Sequence, residues 1–558
     1  MTAMKKILLP VVIALLVIAG SAIWIWRATG ITDAAVFLPA DTVALVSLPD
    51  VPRTLMRWPK TTLAQIGAEP EMQAFLEKPF QYFSKDRGGD EASGILLNLK
   101  PGRIFAAALS VSGPDAALLI GFQYWGGKLA HDAAVARLRQ EIAGNDALLE
   151  PTREDYLGTE ITSTTQMGVT ISNASHGKWG FLSNDLAALK ATLDRANGRT
   201  QENALVDSPP YLSVMTHLAA DPDLIVYVQP KNVLDSLLAV GKSLGAEAIP
   251  QQMDQARKVE AVGATIKLDG ADLHDTLFVL RPDPPDVGSL THKATRFAAE
   301  NSIAYFDFVA NIEQISNLAT NPILATLAQL PGLQNSRLPA LLPQAFGPEC
   351  AVTVSWDDKP DGLMAVEIRD AAKAEESLQE VLSLFPETEV REINGARAYS
   401  FPSLQSAFAN PTFTLTDEFL LIGLNDKTLA AARQAAQTGT SLESAPVFAA
   451  ALPSYHSANE VFGYVNTRNL FEHGYPILRP VLIFSAQVMP GISNVIDSSK
   501  LPNTATIAEH LTPMVYSQTR LPEGYLVDSR GPISMTQALI IGALASGPFQ
   551  NLVPGAGE

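Results

Sequence analysis

Few residues of this sequence stand at the spacings that known chemistry requires. The pentapeptide GKSLG at 241–245 matches the G-x-S-x-G pattern, in which a serine, here Ser243, acts as the nucleophile of a hydrolase. That motif needs a preceding strand, because the sharp turn from strand to helix exposes the hydroxyl. The preceding NVLDSLLAV has helical spacing instead. We therefore interpret the match as a chance occurrence and place Ser243 at a helix end.

A second pattern, WDDKPDGLMAVE, resembles a calcium-binding loop. Its acidic residues Asp357, Asp361 and Glu367 supply oxygen ligands of the kind that Ca²⁺ prefers. However, Lys359 stands at the third position, where a ligand is required, and the glutamate comes one residue early. A hairpin turn at Pro-Asp-Gly explains these residues better than a metal site.

The remaining candidates for chemistry lack a pattern. The eight histidines are scattered without metal-ligand spacing (His131, His176, His217, His274, His292, His456, His473 and His510). The sequence contains no phosphate-binding glycine loop. The two carboxylates of a glycoside hydrolase are brought together by the fold and have no fixed spacing in the sequence, so a pair cannot be selected among 58 acidic residues. Tyr227 and Tyr464, in VYVQP and FGYVN, are more typical of core packing than of a ligand platform. We predict no catalytic, cofactor-binding or metal-ligating residue.

Composition indicates a globular, acidic protein. Of 558 residues, 47% are apolar and 18% are charged, which is enough apolar content for a packed core. The net charge of −18 argues against nucleic acid and against docking on anionic lipid, since both require a basic surface. The single cysteine, Cys350, excludes an intramolecular disulfide and a cysteine-rich metal site.

The stretch Ile7–Trp26 predicts a membrane anchor, because it runs without a charge for the length of a membrane-spanning helix. Lys5 and Lys6 precede it, which favours an N-terminus inside the cytoplasm and the bulk of the chain in the periplasm or otherwise outside. The alternative is a cleaved signal peptide, for which the small residues at 19–22 would supply the cleavage site. The predicted location is the inner (cytoplasmic) membrane, with a single span.

The order of elements after the anchor occurs twice. DLIVYVQPKNVLDSL from Asp223 matches NEVFGYVNTRNLFEH from Asn459, each a strand that turns into a helix. Hairpins turn at Gly-Pro-Asp in the first half and at Pro-Asp-Gly in the second, and both halves contain three short β runs before a helix that opens near Asn-Asp. Asp41 and Asn301 begin further copies of the strand–turn–helix unit. We interpret this pattern as a tandem duplication.

The predicted fold class is α+β: a transmembrane helix followed by two internally duplicated lobes of mainly antiparallel sheet, with helices on one face. The predicted divisions are an anchor (1–30), a first lobe (31–283), a linker (284–296), a second lobe (297–530) and an apolar C-terminal helix and tail (531–558). The stretch Ile533–Gly547 is too short to span a membrane, so we expect it to pack on the domain, and a membrane-surface helix is the alternative.

LPADT at Leu38–Thr42, within LPADTVALVSLPDVPRTLMRW, and the following EPEMQAFLEKP carry a resemblance to a known family. Behind an N-terminal apolar segment, they resemble the uncharacterised bacterial envelope family called "protein of unknown function 3352". The resemblance implies an exported, anchored protein and assigns neither an activity nor catalytic residues.

These observations favour a non-catalytic envelope protein that presents a surface or groove to a protein or apolar partner. The alternative is a periplasmic carrier or chaperone for lipid or lipoprotein, with an apolar cavity. An enzyme of unrecognised type is the third possibility. No cofactor and no nucleic-acid partner are expected, and the predicted contact with membrane is the N-terminal helix.

Overall fold

The computed structural model describes residues 33–84, 99–112, 115–143, 151–166, 169–200, 203–232, 257–310, 336–402, 405–406 and 410–533. The predicted anchor at 7–26, the GKSLG motif at 241–245 and the C-terminal stretch beyond Ile533 lie outside these ranges. Within them, no helix is long and apolar enough to cross a membrane.

The described residues form an α+β structure in which every strand pair described is antiparallel, as the hairpin-rich sequence predicts. The strands are β1 (Ala44–Leu48), β2 (Pro101–Ser112), β3 (Asp115–Tyr124), β4 (Thr152–Tyr156), β5 (Thr159–Gln166), β6 (Val169–His176), β7 (Trp179–Ser183), β8 (Leu224–Val228), β9 (Ala261–Asp269), β10 (Asp272–Leu280), β11 (Ala304–Val309), β12 (Phe346–Trp356), β13 (Pro360–Ile368), β14 (Glu389–Ile393), β15 (Ala396–Ser400), β16 (Thr412–Leu415), β17 (Phe419–Gly423), β18 (Val461–Val465), β19 (Met514–Leu521) and β20 (Gly524–Gly531).

The helices lie between these strands. They are α1 (Val51–Arg57), α2 (Thr62–Ala68), α3 (Pro70–Ser84), α4 (Lys128–Ala143), α5 (Leu186–Ala196), α6 (Pro209–His217), α7 (Leu338–Ala345), α8 (Ala371–Leu384), α9 (Asp426–Thr438), α10 (Leu452–Ser457), α11 (Thr467–Val488), α12 (Pro490–Val495) and α13 (Thr504–Ala508). Short polar side chains begin several of them. Asp185 caps α5 through the N–H of Ala188, two residues after Ser183, and Asn425 caps α9.

The chain divides into two compact units. The first unit comprises Met1–Pro49, Ile95–Leu212 and Tyr227–Ile249, and the second comprises Asp50–Gly94, Ser213–Val226 and Pro250–Glu558. Within each unit the described strands pair antiparallel.

Seven strands of the first unit pair in the order β1-β2-β3-β7-β6-β5-β4. Aromatic rings fill its core: Phe37 lies edge-on to Trp179 at 4.8 Å and to Phe181 at 5.2 Å between ring centroids. Gly121 on β3 pairs with Phe105 on β2, and a methyl group at Gly121 would meet the Phe105 ring at 2.1 Å. Glycine is therefore required there so that the ring can lie flat across the neighbouring strand.

In the second unit twelve strands pair in the order β9-β10-β20-β19-β18-β11-β12-β13-β17-β16-β15-β14. Phe448 lies at the centre of its core, fully buried, with the rings of Tyr464, Tyr455 and Phe462 at 4.9 to 5.9 Å. Such close edge-to-face packing contributes beyond the burial of area alone.

The pairing order of the strands recurs along the chain. The order β1-β2-β3-β7-β6-β5-β4 has the same form as β11-β12-β13-β17-β16-β15-β14, with strands taken in the same sequence of hairpins.

Asp223 and Asn459, which begin the two best-matched sequence segments, perform a similar task. A carboxylate oxygen of Asp223 accepts a hydrogen bond from the N–H of Leu268 on β9 at 2.8 Å. The amide oxygen of Asn459 accepts one from the N–H of Arg520 on β19 at 2.7 Å. Each side chain therefore satisfies a backbone donor of a neighbouring strand, which explains why a short polar acceptor stands at both positions.

The segment predicted as a linker, 284–296, contacts the second unit closely. The guanidinium of Arg520 donates to the carbonyls of Pro285 and Gly288, both at 2.9 Å, and forms an ion pair with Asp286. The N–H of Leu290 donates to the carbonyl of Asn459 at 3.0 Å. These contacts hold the proline-rich segment against β19 and the residue Asn459 that precedes β18.

Candidate binding groove

The residues of the calcium-loop pattern do not come together as a ligand set. Asp361, in the β12–β13 hairpin, accepts hydrogen bonds from Asn425 and Thr428 at the start of α9. Asp357 is exposed and accepts from Asn301, whereas Glu367 lies further along β13 and accepts from the N–H of Glu349. The acidic residues thus stabilise a hairpin and a helix start, as the hairpin interpretation predicts.

Tyr227 and Tyr464 are both fully buried. The Tyr227 ring packs against Tyr211 at 5.1 Å between centroids, and Tyr464 packs against Phe448. Their role in core packing is confirmed, because neither ring is accessible to a ligand.

One group of described residues has the donor types of a metal site. Ligand-type atoms of Glu69, Glu509 and His510 lie within 4.8 Å of one another. However, His510 Nε2 already lies 2.9 Å from a carboxylate oxygen of Glu69, at hydrogen-bond distance. Since Glu69 ends α2 and Glu509 ends α13, a pair that joins two helix ends explains the group without an ion.

A buried acidic pair lies in the core of the second unit. Asp307 on β11 and Glu349 on β12 are both fully buried, and Tyr305 donates to Asp307 at 3.1 Å. Glu349 accepts from the N–H groups of Thr291 and Ala294. Burial, reinforced by the nearby charge of Glu349, raises the pKa of Asp307 to about 8. A perturbed carboxyl such as that of Asp307 often marks an active site, but neither Asp307 nor Glu349 has exposed surface that a substrate could reach.

One apolar feature of the second unit is a groove between helices and strand ends. Its volume is about 520 Å³. We call it the apolar groove, and it is lined by Thr62, Leu63, Ile66, Val465, Thr467, Leu470, Phe471, Gly474, Tyr475, Leu478, Leu511, Met514, Pro532 and Ile533. Two helices, α2 and α11, form its walls, while the paired ends of β18 and β19 and the residues after β20 form the rest.

The spacing of residues on α11 explains why one side of this helix faces the groove. Asn466 caps the helix by accepting from the N–H of Asn469 at 3.1 Å, directly after β18. From there, apolar or small lining residues recur one helical turn apart, at 470, 471, 474, 475 and 478. The strand end therefore fixes where the helix starts, and the helical repeat places one apolar face over the groove.

The few polar groups in the groove wall already have partners. The Thr62 hydroxyl donates to the carbonyl of His510 at 3.1 Å, and the Tyr475 hydroxyl donates to the carbonyl of Pro502 at 2.8 Å. The Thr467 hydroxyl donates to the carbonyl of Thr512. These side chains turn their hydroxyls towards the backbone and leave carbon atoms facing the groove, so the wall offers apolar contact and no free hydroxyl.

A second face of α11 is also apolar and lies in solvent. Ile477, Val481, Phe484 and Val488 recur at helical spacing and are 53 to 64% exposed. Between Glu472 and Asp497 the sequence has no acidic residue, and Arg479 is its sole Lys or Arg. Large exposed apolar side chains in a row mark an interaction surface rather than an ordinary solvated helix.

Sequence reasoning did not predict this groove. The run TRNLFEHGYPILRPVLIFSAQV indicates a helix after the strand at Asn459, and its apolar residues are too numerous for one buried stripe. This excess of apolar residues is the sequence feature that could have indicated an exposed apolar surface on the helix. The contributions of α2, Leu511, Met514 and Ile533 come from distant parts of the chain and are brought together by the fold alone.

Comparisons with known proteins give little further guidance. No known family profile matches the chain, and no curated protein matches it. Solved structures that resemble it include crystal forms I, III and IV of TP0453, each at 8% sequence identity. They cover 46% of this chain and 81 to 83% of theirs, with TM-scores of 0.24 to 0.25. A likeness at this level transfers neither a fold nor a function.

Proposed function

We propose that this protein is a non-catalytic, membrane-anchored envelope protein that holds the acyl chain of a lipid in the apolar groove. The observation that carries the proposal is the groove itself, whose volume of about 520 Å³ falls within the range of small-ligand sites. This combines the predicted binding protein with the predicted lipid carrier, since the apolar partner of either would occupy the groove.

An acyl chain suits the groove better than a peptide does. A peptide brings backbone N–H and C=O groups, and each costs free energy when it is buried without a partner. The hydroxyls of Thr62, Thr467 and Tyr475 are already bonded to backbone carbonyls, so the wall has few groups to satisfy a peptide. An alkyl chain needs no such partner and gains free energy from each buried methylene.

The proposed setting is the outer face of the inner membrane. The uncharged stretch Ile7–Trp26 would anchor the chain there as a single span with its N-terminus inside. The exposed apolar face of α11 supports a role beside lipid, because apolar side chains in a row gain free energy when they leave water. The family resemblance of LPADT and its surroundings supports the same setting.

We also propose that the exported chain arose by tandem duplication into two α+β lobes, with helices on one face of each sheet. The recurring pairing order and the matched roles of Asp223 and Asn459 support common descent. Superposition of residues 36–283 on 297–530 tests the idea: common descent requires the same strand order in both, and a different order would refute it.

Photolabelling tests lipid binding in the full chain, in its native membrane. Cells that express the protein are fed a palmitate analogue that carries a diazirine, irradiated, and the labelled peptides are mapped by mass spectrometry. We expect label in peptides that contain Leu470–Leu478 or Leu511–Ile533. Leu478→Asp, at a groove position that is 58% exposed, should abolish this label, because it places a charge in the groove without disturbing the buried core.

Val390→Asp is the matched control, because Val390 on β14 has the same 58% exposure and does not line the groove. Label that is spread evenly over the exported chain, or that is unaffected by Leu478→Asp, would contradict the proposal.

The exposed face of α11 favours a second candidate, a scaffold for a protein partner. Phe484 and Val488 lie on this face, and a partner that covers them would be lost in the Phe484→Glu variant while groove labelling persists. Crosslinking with co-purification distinguishes the two functions: a stoichiometric protein partner together with an unlabelled groove would favour the scaffold.

A further inference from the structure

A pocket of mixed polarity lies in the second unit, where the β12–β13 hairpin meets the start of α9. Its volume is about 160 Å³, and its polar lining includes Thr353, Ser355, Asp357, Asp361 and Lys427. We call it the polar pocket. The volume equals that of about five water molecules in the liquid, so the pocket admits one small molecule.

The inner wall of the polar pocket carries two hydroxyls that have no hydrogen-bond partner among the described residues, those of Thr353 and Ser355. Thr353 is only 7% exposed, whereas Ser355 is half-buried. Buried hydroxyls are normally hydrogen-bonded, because a buried polar group without a partner costs free energy. The two hydroxyls are therefore places at which a ligand can donate or accept a hydrogen bond.

Two exposed charged residues lie at the mouth of the pocket. One carboxylate oxygen of Asp357 accepts from Asn301 at 3.2 Å, and its other oxygen has no partner in the described part of the chain. Lys427 is exposed, and within the same ranges it forms neither an ion pair nor a side-chain hydrogen bond. The mouth thus offers one free acceptor and one free donor, while the most buried free group is the neutral hydroxyl of Thr353.

The polar pocket and the apolar groove lie on opposite faces of the sheet. Val354 packs with the groove residues Val465 and Met514 on one face of β12. Thr353 and Ser355, its two neighbours along the strand, face the other way into the polar pocket, because side chains alternate along a strand. A ligand in the polar pocket therefore neither fills the groove nor depends on the lipid proposed for it.

The register of hydrogen bonds matches residues of the second unit with residues of the first. Ser302 in the second unit and Thr42 in the first each donate to the carbonyl three residues earlier, both at 2.6 Å. In each unit the next backbone N–H donates to the neighbouring strand, to the carbonyl of Val354 or of Ala108. These bonds align β12 with β2.

The helix caps extend this match. Asn425 caps α9 and Asp185 caps α5, and the strand residue two positions before each cap pairs with Leu363 or with Leu119. By this register four polar residues of the pocket match apolar residues of the first unit: Thr353, Ser355, Asp361 and Lys427 match Ala107, Leu109, Ala117 and Ala187. The shared pairing order forms without the polar residues in the first unit, so the fold itself does not require them.

We propose that the polar pocket binds a monosaccharide. Each hydroxyl of a sugar both donates and accepts hydrogen bonds, so one sugar can serve the two free hydroxyls, the Asp357 carboxylate and the Lys427 ammonium together. The wall also contains apolar residues, Phe297 and Leu363 among them, which suit the C–H groups of a sugar ring.

The charges of the pocket argue against other small ligands. Two carboxylates, those of Asp357 and Asp361, accompany a single ammonium, so an anion such as phosphate is repelled. A metal ion would find Asp361 already engaged by Asn425 and Thr428. A zwitterionic amino acid would have to bring a charged group out of water to reach the buried hydroxyl of Thr353, which costs free energy.

Saturation-transfer NMR on the full chain, in a detergent without a sugar headgroup, tests the proposal. D-glucose, D-galactose, D-mannose and N-acetyl-D-glucosamine are titrated one at a time. Glycine serves as the zwitterion, and inorganic phosphate, followed by phosphorus NMR, serves as the anion. We expect at least one sugar to bind with a dissociation constant on the order of 1 mM, as a few hydrogen bonds in a small open pocket allow, and neither glycine nor phosphate to bind.

Thr353→Ala and Lys427→Ala remove the most buried hydroxyl and the free ammonium. Each change installs the residue type that the first unit has at the matching position, and a thermal melt followed by circular dichroism checks that the variants fold. Thr353→Ala should weaken sugar binding about two- to ten-fold, the value of one neutral hydrogen bond. Lys427→Ala should weaken it about ten-fold, because the lost donor is charged.

Thr265→Ala and Lys359→Ala are the matched controls, because neither residue lines the pocket. Thr265 on β9 is 2% exposed and its hydroxyl likewise lacks a partner among the described residues, and Lys359 is exposed in the β12–β13 turn. Both variants should bind sugar as the unaltered chain does. Failure of every sugar to bind, equal binding by all four variants, or binding of glycine or phosphate in place of sugar would overturn the proposal.

Discussion

Asp307→Asn is expected to remove a pH-dependent loss of stability from the second unit. Asp307 is fully buried on β11, and one of its carboxylate oxygens accepts from Tyr305 while the other has no hydrogen-bond partner among the described residues. In the unfolded chain the same carboxyl is solvated and titrates near 3.8. Asparagine has almost the same shape and carries no charge at any pH.

The sign of the effect follows from the raised pKa. Burial raises the pKa of Asp307 to about 8, so between pH 4 and 8 the folded chain retains a proton that the unfolded chain has lost. The free energy of unfolding must then fall as pH rises through this window, by about 1.4 kcal/mol per pH unit for one proton. From pH 5 to pH 7 the wild type should therefore lose about 2.7 kcal/mol through this group.

The Asn variant lacks this contribution, so the difference in stability between variant and wild type should rise by the same amount over the same window. Other carboxyls near Asp307, Glu349 and Glu367, are present in both proteins and largely cancel in the difference. Urea unfolding followed by circular dichroism at pH 5, 6 and 7 measures this difference from the midpoints.

Asp358→Asn is the matched control, because it makes the same substitution at an exposed position in the β12–β13 turn. Its stability difference should stay flat across the window. A flat difference for Asp307→Asn as well would refute the reasoning, since it would mean that the folded and unfolded chains bind the same number of protons at this residue.

Three further predictions concern packing and buried charge, each measured as a change in the free energy of urea unfolding. Phe448→Ala should cost about 3–5 kcal/mol because it empties the aromatic core, whereas Phe484→Ala, at 64% exposure, should cost less than about 0.5 kcal/mol; equal costs would contradict the core assignment. Gly121→Ala should destabilise the first unit by about 1–3 kcal/mol through a clash with a phenyl ring, and Gly127→Ala, with open space around it, should not. Asp223→Ala should cost about 1–3 kcal/mol because it leaves the buried N–H of Leu268 and the half-buried guanidinium of Arg57 without their acceptor, and an unchanged stability would contradict this role.

The α+β class and the antiparallel sheets could be predicted because they depend on local signals. Alternating apolar residues bounded by Gly-Pro-Asp and Pro-Asp-Gly specify hairpins, and a hairpin is antiparallel by construction. The cap of α5 shows the limit of such signals. Ser183, Asn184 and Asp185 are three consecutive good caps, and the structure uses Asp185, because Ser183 donates to a backbone carbonyl and Asn184 bonds to β3 instead.

The order of strands across the sheets could not be predicted in the same way. Local patterns say that β10 pairs with β9, but not that it also pairs with β20. That second contact joins residues from 272–280 to 524–531, and it follows from which sheet edges remain unpaired after the hairpins have formed. No local spacing in either strand encodes the partner.

The groove residues also come from distant parts of the chain. This explains why the sequence predicted an apolar partner but not where that partner would bind. Each wall of the groove looks like ordinary core in isolation: Ile66 on a short helix, Met514 at the start of a strand, Leu478 on a long helix. Their apolar side chains predict burial. In the structure, however, Leu478 is 58% exposed and Ile533 is 44% exposed, and both line an apolar groove. Whether an apolar side chain lacks packing partners is decided only when the whole unit has folded. It identifies the surface on which a binding function should be sought.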